Sequence, residues 1–390
     1  MRKNKETSQP ADNALAILQQ LIRIRTNHTE GYEMDAVKYI ASLFPPKTEM
    51  SVIDHGGNRG SLIVEIKGRV PDKKIAVFSY LDTVKNIGMD RWEHPPFSAD
   101  YINGAVHGKG AANMKGGVTS AILAMMELSR TPPPPLSVLM CLTADGTGDG
   151  LGAVEIAEKG YLNGVVEAIF TSATKEKIGI SQKGALWTKV EVTGTTSYSA
   201  SPSSGTNAVE ALIAFCQRLR KEVIGKKNKK HLLFGLPSCT ITQFNSGTGE
   251  VNQIPPYAAA TIDIRFMPYQ DPESIINLYN KIAKELSKTY DGISVKIEIL
   301  KIQNSVYIPE DSAMVKRFSE TLSSMNKKSV LTGLNIFGDA AHVIPRTGVP
   351  FIIYGPGEYS SAVNEKVSLK SVISVANVLV KYIRTHDANF

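Results

Sequence analysis

The chain has 390 residues, with 44 Lys and Arg against 37 Asp and Glu, for a formal charge of +7. Apolar residues make up 42% and charged residues 21%, ordinary globular usage that excludes a disordered or fibrous chain and leaves room for a sizeable core. The length suggests two domains, or one domain carrying a large insertion.

No run approaches the roughly 18 uninterrupted apolar residues needed to span a bilayer, and the basic, polar N-terminus leads into an amphipathic pattern. A cytoplasmic location without a membrane partner is therefore expected. Cys141, Cys216 and Cys239 are odd in number, widely spaced and set among apolar residues, which favours core filling over a disulfide framework or a thiolate metal cage. The one dense positive run, Lys226, Lys227, Lys229 and Lys230, reads as a solvated loop, not a nucleic-acid site.

Leu15, Leu18, Leu21 and Ile22, then Tyr39, Ile40, Leu43 and Phe44, recur at helical spacing on either side of a break at 26–31, so two helices open the chain. β-rich runs follow at 61–66 and 74–80, then a Gly-rich loop at 104–117 and an apolar helix at 118–128. After Pro132 to Pro135, the run 136–143 reads as a buried strand. Strands alternating with helices argue for an α/β sheet with functional groups at the strand ends, where Asp82, Asn113, Asp145 and the turn after Phe170 all fall.

From about Gln182 the pattern changes to strands at 186–192, 239–244 and 261–266 and helices at 208–219 and 273–286, an α+β insertion. Beyond Ile302 the first pattern returns, with a helix at 313–323, a strand at 350–354, the turn Gly355-Pro356-Gly357 and a closing helix at 368–383. The expected organisation is a discontinuous α/β domain, 1–182 and 303–390, interrupted by a smaller domain at 183–302.

Six segments occur in a telling order: Leu81-Asp82-Thr83-Val84, the stretch Gly108 to Gly117, Pro202 with Gly205-Thr206-Asn207-Ala208, Asn252-Gln253-Ile254-Pro255, Asp263-Ile264-Arg265, and Gly355-Pro356-Gly357. Together they resemble the M20 family of zinc-dependent aminopeptidases, carboxypeptidases and amino-acid deacylases. The resemblance implies a zinc-exopeptidase-like α/β catalytic domain with an inserted α+β lid that mediates dimerisation, and so a homodimer.

Carried over residue by residue, the resemblance also implies a departure. Tyr80 stands where the family has its first zinc-binding histidine, with Asp82 retained, and Asn113 stands where an aspartate bridges two zinc ions. The general-base glutamate and the metal-binding glutamate after it fall on Gly146 and Thr147, just beyond Asp145. The next acidic ligand falls on Ser172, the last zinc-binding histidine on Ser361, and the lid histidine that holds the substrate carbonyl on Tyr198. An amide has nearly the shape of a carboxylate but none of its charge, and zinc takes thiolate, imidazole or carboxylate donors. No metal and no other cofactor is expected.

Among the seven histidines none forms an H-x-x-x-H pair or an H-x-D, and His107 and His342, the two nearest the motifs, read as surface or supporting residues. The Gly-rich stretch matches no nucleotide-binding fingerprint, so Lys115 reads as an anchor for its loop. Asn252 and Arg265 match lid positions that reach toward substrate, where an amide grips a carbonyl and a guanidinium forks onto a carboxylate. A turn-forming asparagine and an internal salt bridge are the equal alternatives.

Asp82 loses its zinc-orienting role once Tyr80 replaces the ligand, so it must pair, stay hydrated or become protonated. One expectation is that Tyr80 donates to a nearby carboxylate and forms a neutral plug. Another makes Asp82 or Asp145 a general acid or base, with Ser172, Ser199 and Ser361 as conceivable nucleophiles. Three functional readings follow: a pseudoenzyme that binds a carboxylate-bearing amino-acid or N-acyl-amino-acid ligand; a metal-independent enzyme of acyl or aminoacyl transfer, condensation or cyclisation; and a zinc-dependent amidohydrolase.

Overall fold

The computed structural model describes residues 9–27, 31–85, 88–225, 233–248, 250–359 and 363–387, which leaves the lysine run at 226–230 outside the described residues. The chain divides into two compact units. One comprises Met1–Ser181, Tyr307–Thr332 and Gly338–Phe390, the other Gln182–Val306 and Gly333–Phe337.

In the first unit, the strands Glu49–Gly56, Arg59–Ile66, Leu136–Thr143, Val70–Tyr80, Val165–Phe170, Phe351–Ile353 and Ile178–Gln182 lie side by side in that order. The middle of the sheet is parallel, from Leu136–Thr143 through Val70–Tyr80 and Val165–Phe170 to Phe351–Ile353. Every residue of Leu136–Thr143 is buried, as a strand covered on both faces requires. Phe78 stacks on Phe170 at 5.1 Å between ring centroids, and Phe351 meets Phe170 edge-on at 6.2 Å. Each such buried side chain contributes about 1.5–3 kcal/mol of apolar transfer.

Leu18 and Ile22 of the helix Gln9–Arg23 share a core cluster with Ala111, Ala112, Val367 and Val372. That cluster seats the Gly-rich segment against the helical layer. The segment is not one loop, as the glycines suggest: it contains a strand, Ala105–His107, and a tight helical turn at Ala111–Lys115 before the helix Gly116–Arg130 begins.

The second unit is a four-stranded antiparallel sheet in the order Ser238–Ser246, Tyr257–Phe266, Gly184–Thr193, Ser294–Gln303. Two helices cover one face. Ala208–Ile224 presents Ala211, Leu212, Phe215 and Leu219, and Pro272–Thr289 presents Ile275, Tyr279, Ile282 and Leu286, against Leu186, Val190, Ala260, Ile262 and Ile264 of the strands. Both helices start on capping side chains: Asn207 accepts from the amides of Val209 and Glu210, and Asp271, followed by Pro272, accepts from Glu273. The other face is polar. It carries the ion pair of Lys189 with Glu191, and the Tyr257 hydroxyl donates to the same Glu191.

Among the described residues no helix is long and apolar enough to cross a membrane.

Candidate active site

The register of the parallel strands builds the site. Tyr80 pairs with Thr143 at the carboxyl ends of adjacent strands, and Phe78 pairs with Phe170 on the other side. The segments 80–83, 144–147 and 171–172 therefore leave the sheet along one edge, the usual place for ligand chemistry in an open α/β sheet.

Tyr80 is 2% exposed, and its hydroxyl donates to the Asn113 side-chain oxygen at 2.9 Å. Its partner is thus an amide, not the carboxylate expected from the sequence. Burial, with Asp82 and Asp339 nearby, holds the phenol well above its ordinary value, so it stays neutral. Asn113 is fixed from behind: Glu365 accepts from the amides of Gly110, Ala112 and Asn113 at 2.8, 3.0 and 2.7 Å. Lys115 anchors the same turn by donating to the Ile24 carbonyl at 2.8 Å. Burial pulls this amine down to about 7.

Asp82 is fully buried, and its carboxylate is capped by backbone. The Gly146 and Thr147 amides donate to it at 2.7 and 3.0 Å, and the Thr147 hydroxyl also donates. Burial raises its pKa, opposed chiefly by the Thr147 hydrogen bonds. Asp145 sits at φ 66° and organises the next turn, accepting from the Asp149 amide at 2.9 Å and from Arg59 at 2.9 Å. The Ser172 hydroxyl is buried against the Met114 sulfur at 3.6 Å.

Two further carboxyl groups belong to this cluster. Asp339 is 3% exposed: one oxygen accepts from the Thr143 hydroxyl at 2.7 Å, and the other has no hydrogen-bond partner among the described residues. Glu33 is fully buried, 3.5 Å from Arg59, and its second oxygen also lacks a hydrogen-bond partner among the described residues. Burial, reinforced by Asp82, pushes both up to about 7. Sequence reasoning missed Glu33, Arg59 and Asp339. In the sequence Glu33 reads as an ordinary acid in a helix's first turn, and no spacing links residues 33, 59, 145 and 339.

Comparison with known proteins agrees with this architecture. Residues 180–291 match the family model described as the peptidase dimerisation domain of M20 peptidases. A probable succinyl-diaminopimelate desuccinylase from Staphylococcus epidermidis is 24% identical over 371 residues, covering 88% of this chain and 90% of that protein. Aminopeptidase PepT from Bacillus cereus superposes with a TM-score of 0.75 at 15% identity, over 96% of this chain and 98% of that one. An M20 family metallo-carboxypeptidase from Sulfolobus solfataricus gives 0.75 at 16%, over 95% and 98%. Residues 180–291 are therefore an M20-type peptidase dimerisation domain, and the chain as a whole has the fold of the M20 peptidases.

The residues that the resemblance places in the lid lie in the second unit. Tyr198 is 67% exposed and pairs in an isolated bridge with Gln253. Asn252 is exposed, and its carbonyl accepts from the Ser199 amide at 2.8 Å. Arg265 forks onto Asp263 at 2.8 and 2.9 Å and lies over the Phe337 ring at 5.2 Å. Ser361 lies outside the described residues.

M20 peptidases named as metallo-enzymes imply a metal, so the donors must be weighed. At the positions the resemblance assigns to zinc, Tyr80 offers a neutral phenol already donating, Asn113 an uncharged amide, Gly146 no side chain, Thr147 a hydroxyl spent on Asp82, and Ser172 a hydroxyl spent on sulfur. Among the described residues no group of three or more His, Cys, Asp and Glu side chains is arranged to hold a metal ion. Two dications need several anionic or imidazole donors, so these residues do not fit a di-zinc centre.

Proposed function

We propose that this M20 chain is a pseudoenzyme that binds a carboxylate-bearing amino-acid derivative without the metal-dependent hydrolysis of its relatives. The Tyr80 to Asn113 hydrogen bond carries the reading. Metal-assisted hydrolysis needs a cation to acidify water or polarise a carbonyl, together with a base to take the proton. A neutral phenol–amide pair, with glycine at the base position, supplies neither. The ligand class draws on relatives named for an N-succinylated amino acid. Asn252 and Tyr198, both exposed in the lid, are the residues offered to it, because Arg265 is already forked onto Asp263. A homodimer through the domain at 180–291 is part of the same proposal.

A second reading, metal-independent catalysis, draws on Asp339. Its carboxyl group, pushed up to about 7 and with one oxygen lacking a partner, has the acidity of a general acid or base at neutral pH.

The test is a thermal-shift screen of the chain against N-acyl amino acids and dipeptides, with every stabiliser then assayed for turnover. The pseudoenzyme reading expects a stabiliser that is never converted, with or without added zinc. Turnover dependent on two equivalents of zinc would overturn it. Turnover that survives EDTA and is lost in Asp339→Asn would favour the second reading.

A further inference from the structure

The hairpin of Asp100–Ile102 and Ala105–His107 sets Asp100 directly opposite His107, and the strand Lys366–Ser368 sets Lys366 opposite His107 on its other side. Directly opposed residues of antiparallel strands project from the same face, so Asp100, His107 and Lys366 share one. His94 brings its ring edge-on to His107, with centroids 4.9 Å apart and planes at 72°. Two imidazoles on one tetrahedral zinc, each about 2.0–2.1 Å from the ion through nitrogen, have ring centroids about 5 Å apart.

Asp100 Oδ2 lies 3.7 Å from His94 Nδ1, which leaves Nε2 of that ring for a metal. A carboxylate behind a ligating imidazole fixes the ring and raises its basicity.

From this geometry we propose that His94 and His107 bind a divalent transition metal such as zinc, with Asp100 orienting His94 and water completing the shell. The site brings two protein ligands, fewer than the three-donor groups weighed above. It shares no residue with the Tyr80 cluster and does not depend on the functional reading.

The test is calorimetric titration of the full chain, stripped with EDTA and dialysed, with zinc chloride at neutral pH. One equivalent is expected. His94→Gln and His107→Gln, each checked for folding by circular dichroism, should weaken binding by more than about tenfold, and Asp100→Asn should weaken it less. No binding at millimolar zinc, or binding unchanged in both histidine variants, overturns the proposal. Two equivalents that persist in the double histidine variant would overturn the metal-free reading of the cleft as well, so the two failures are distinguishable.

Discussion

Gly146 lies against Tyr80 so closely that a Cβ added at 146 would stand 2.3 Å from the Tyr80 Cβ and 2.4 Å from its Cγ. The obstacle is the root of the neighbouring side chain, which a rotamer change cannot move. No side chain fits at 146 while this backbone holds, so a glutamate placed there would not become a base. Gly146→Ala should destabilise the chain by about 1–3 kcal/mol, read as a lower urea midpoint. An unchanged midpoint would show that the two segments are not packed as described.

Tyr80→Phe tests the plug from its other side. The ring stays, but the Asn113 oxygen loses its buried donor, at a cost of about 1–3 kcal/mol. The expected result is a lower midpoint with an unchanged denaturant slope. A neutral or stabilising outcome would mean that water or another donor already satisfies Asn113.

Much of the fold was legible because burial imposes pattern. Leu136–Thr143, buried along its whole length, reads as a continuous apolar run, and Pro272–Thr289 advertises itself through Asp271, Pro272 and an apolar stripe. The strands missed at Glu49–Gly56 and Ser294–Gln303 are sheet edges with mostly exposed or half-buried residues, so their sequences lack a clean signal. The helix Ala340–Thr347 was hidden by Pro345 inside it, and Leu151–Glu158 is only eight residues long. The Tyr80 and Asn113 positions could be singled out from motif order, but their hydrogen bond and the carboxyl cluster of Glu33, Asp82, Asp145 and Asp339 exist only once four distant segments meet.

That cluster predicts an unusual pH profile. Burial pushes Glu33 and Asp339 up to about 7 in the folded chain from their ordinary values of 4.5 and 3.8, so the folded state binds more protons between those limits. Their contribution to stability is therefore lost as pH rises toward 7, by at most about 1.4 kcal/mol per unit and per group. Lys115 acts the other way: lowered from 10.5 to about 7, it contributes stability that grows as pH rises from 7 toward 10. His107 and His386, both lowered, oppose the carboxyl groups near pH 6, so variants are needed to separate the terms. Urea melts should show the fall between pH 5 and 7 flattened in Glu33→Gln and Asp339→Asn relative to the parent. Identical slopes in all three proteins would remove the carboxyl groups from the account.

The dimer can be tested at the edge strand Ser238–Ser246, which pairs on one side only and exposes Ile241 at 45% and Phe244 at 41%. An exposed edge with apolar side chains invites pairing with another chain, and a charge on it discourages that pairing. Sedimentation velocity at micromolar concentration should give a dimer for the parent and a shift toward monomer for Phe244→Glu, with circular dichroism unchanged. The same substitution leaves Asn252 and Tyr198 unchanged, so a ligand found in the thermal-shift screen should still stabilise the monomer if one copy alone forms its site. Loss of ligand binding together with the dimer would instead make the second copy part of the site. A parent chain already monomeric would reject the dimer while leaving the assignment of residues 180–291 to its domain family untouched.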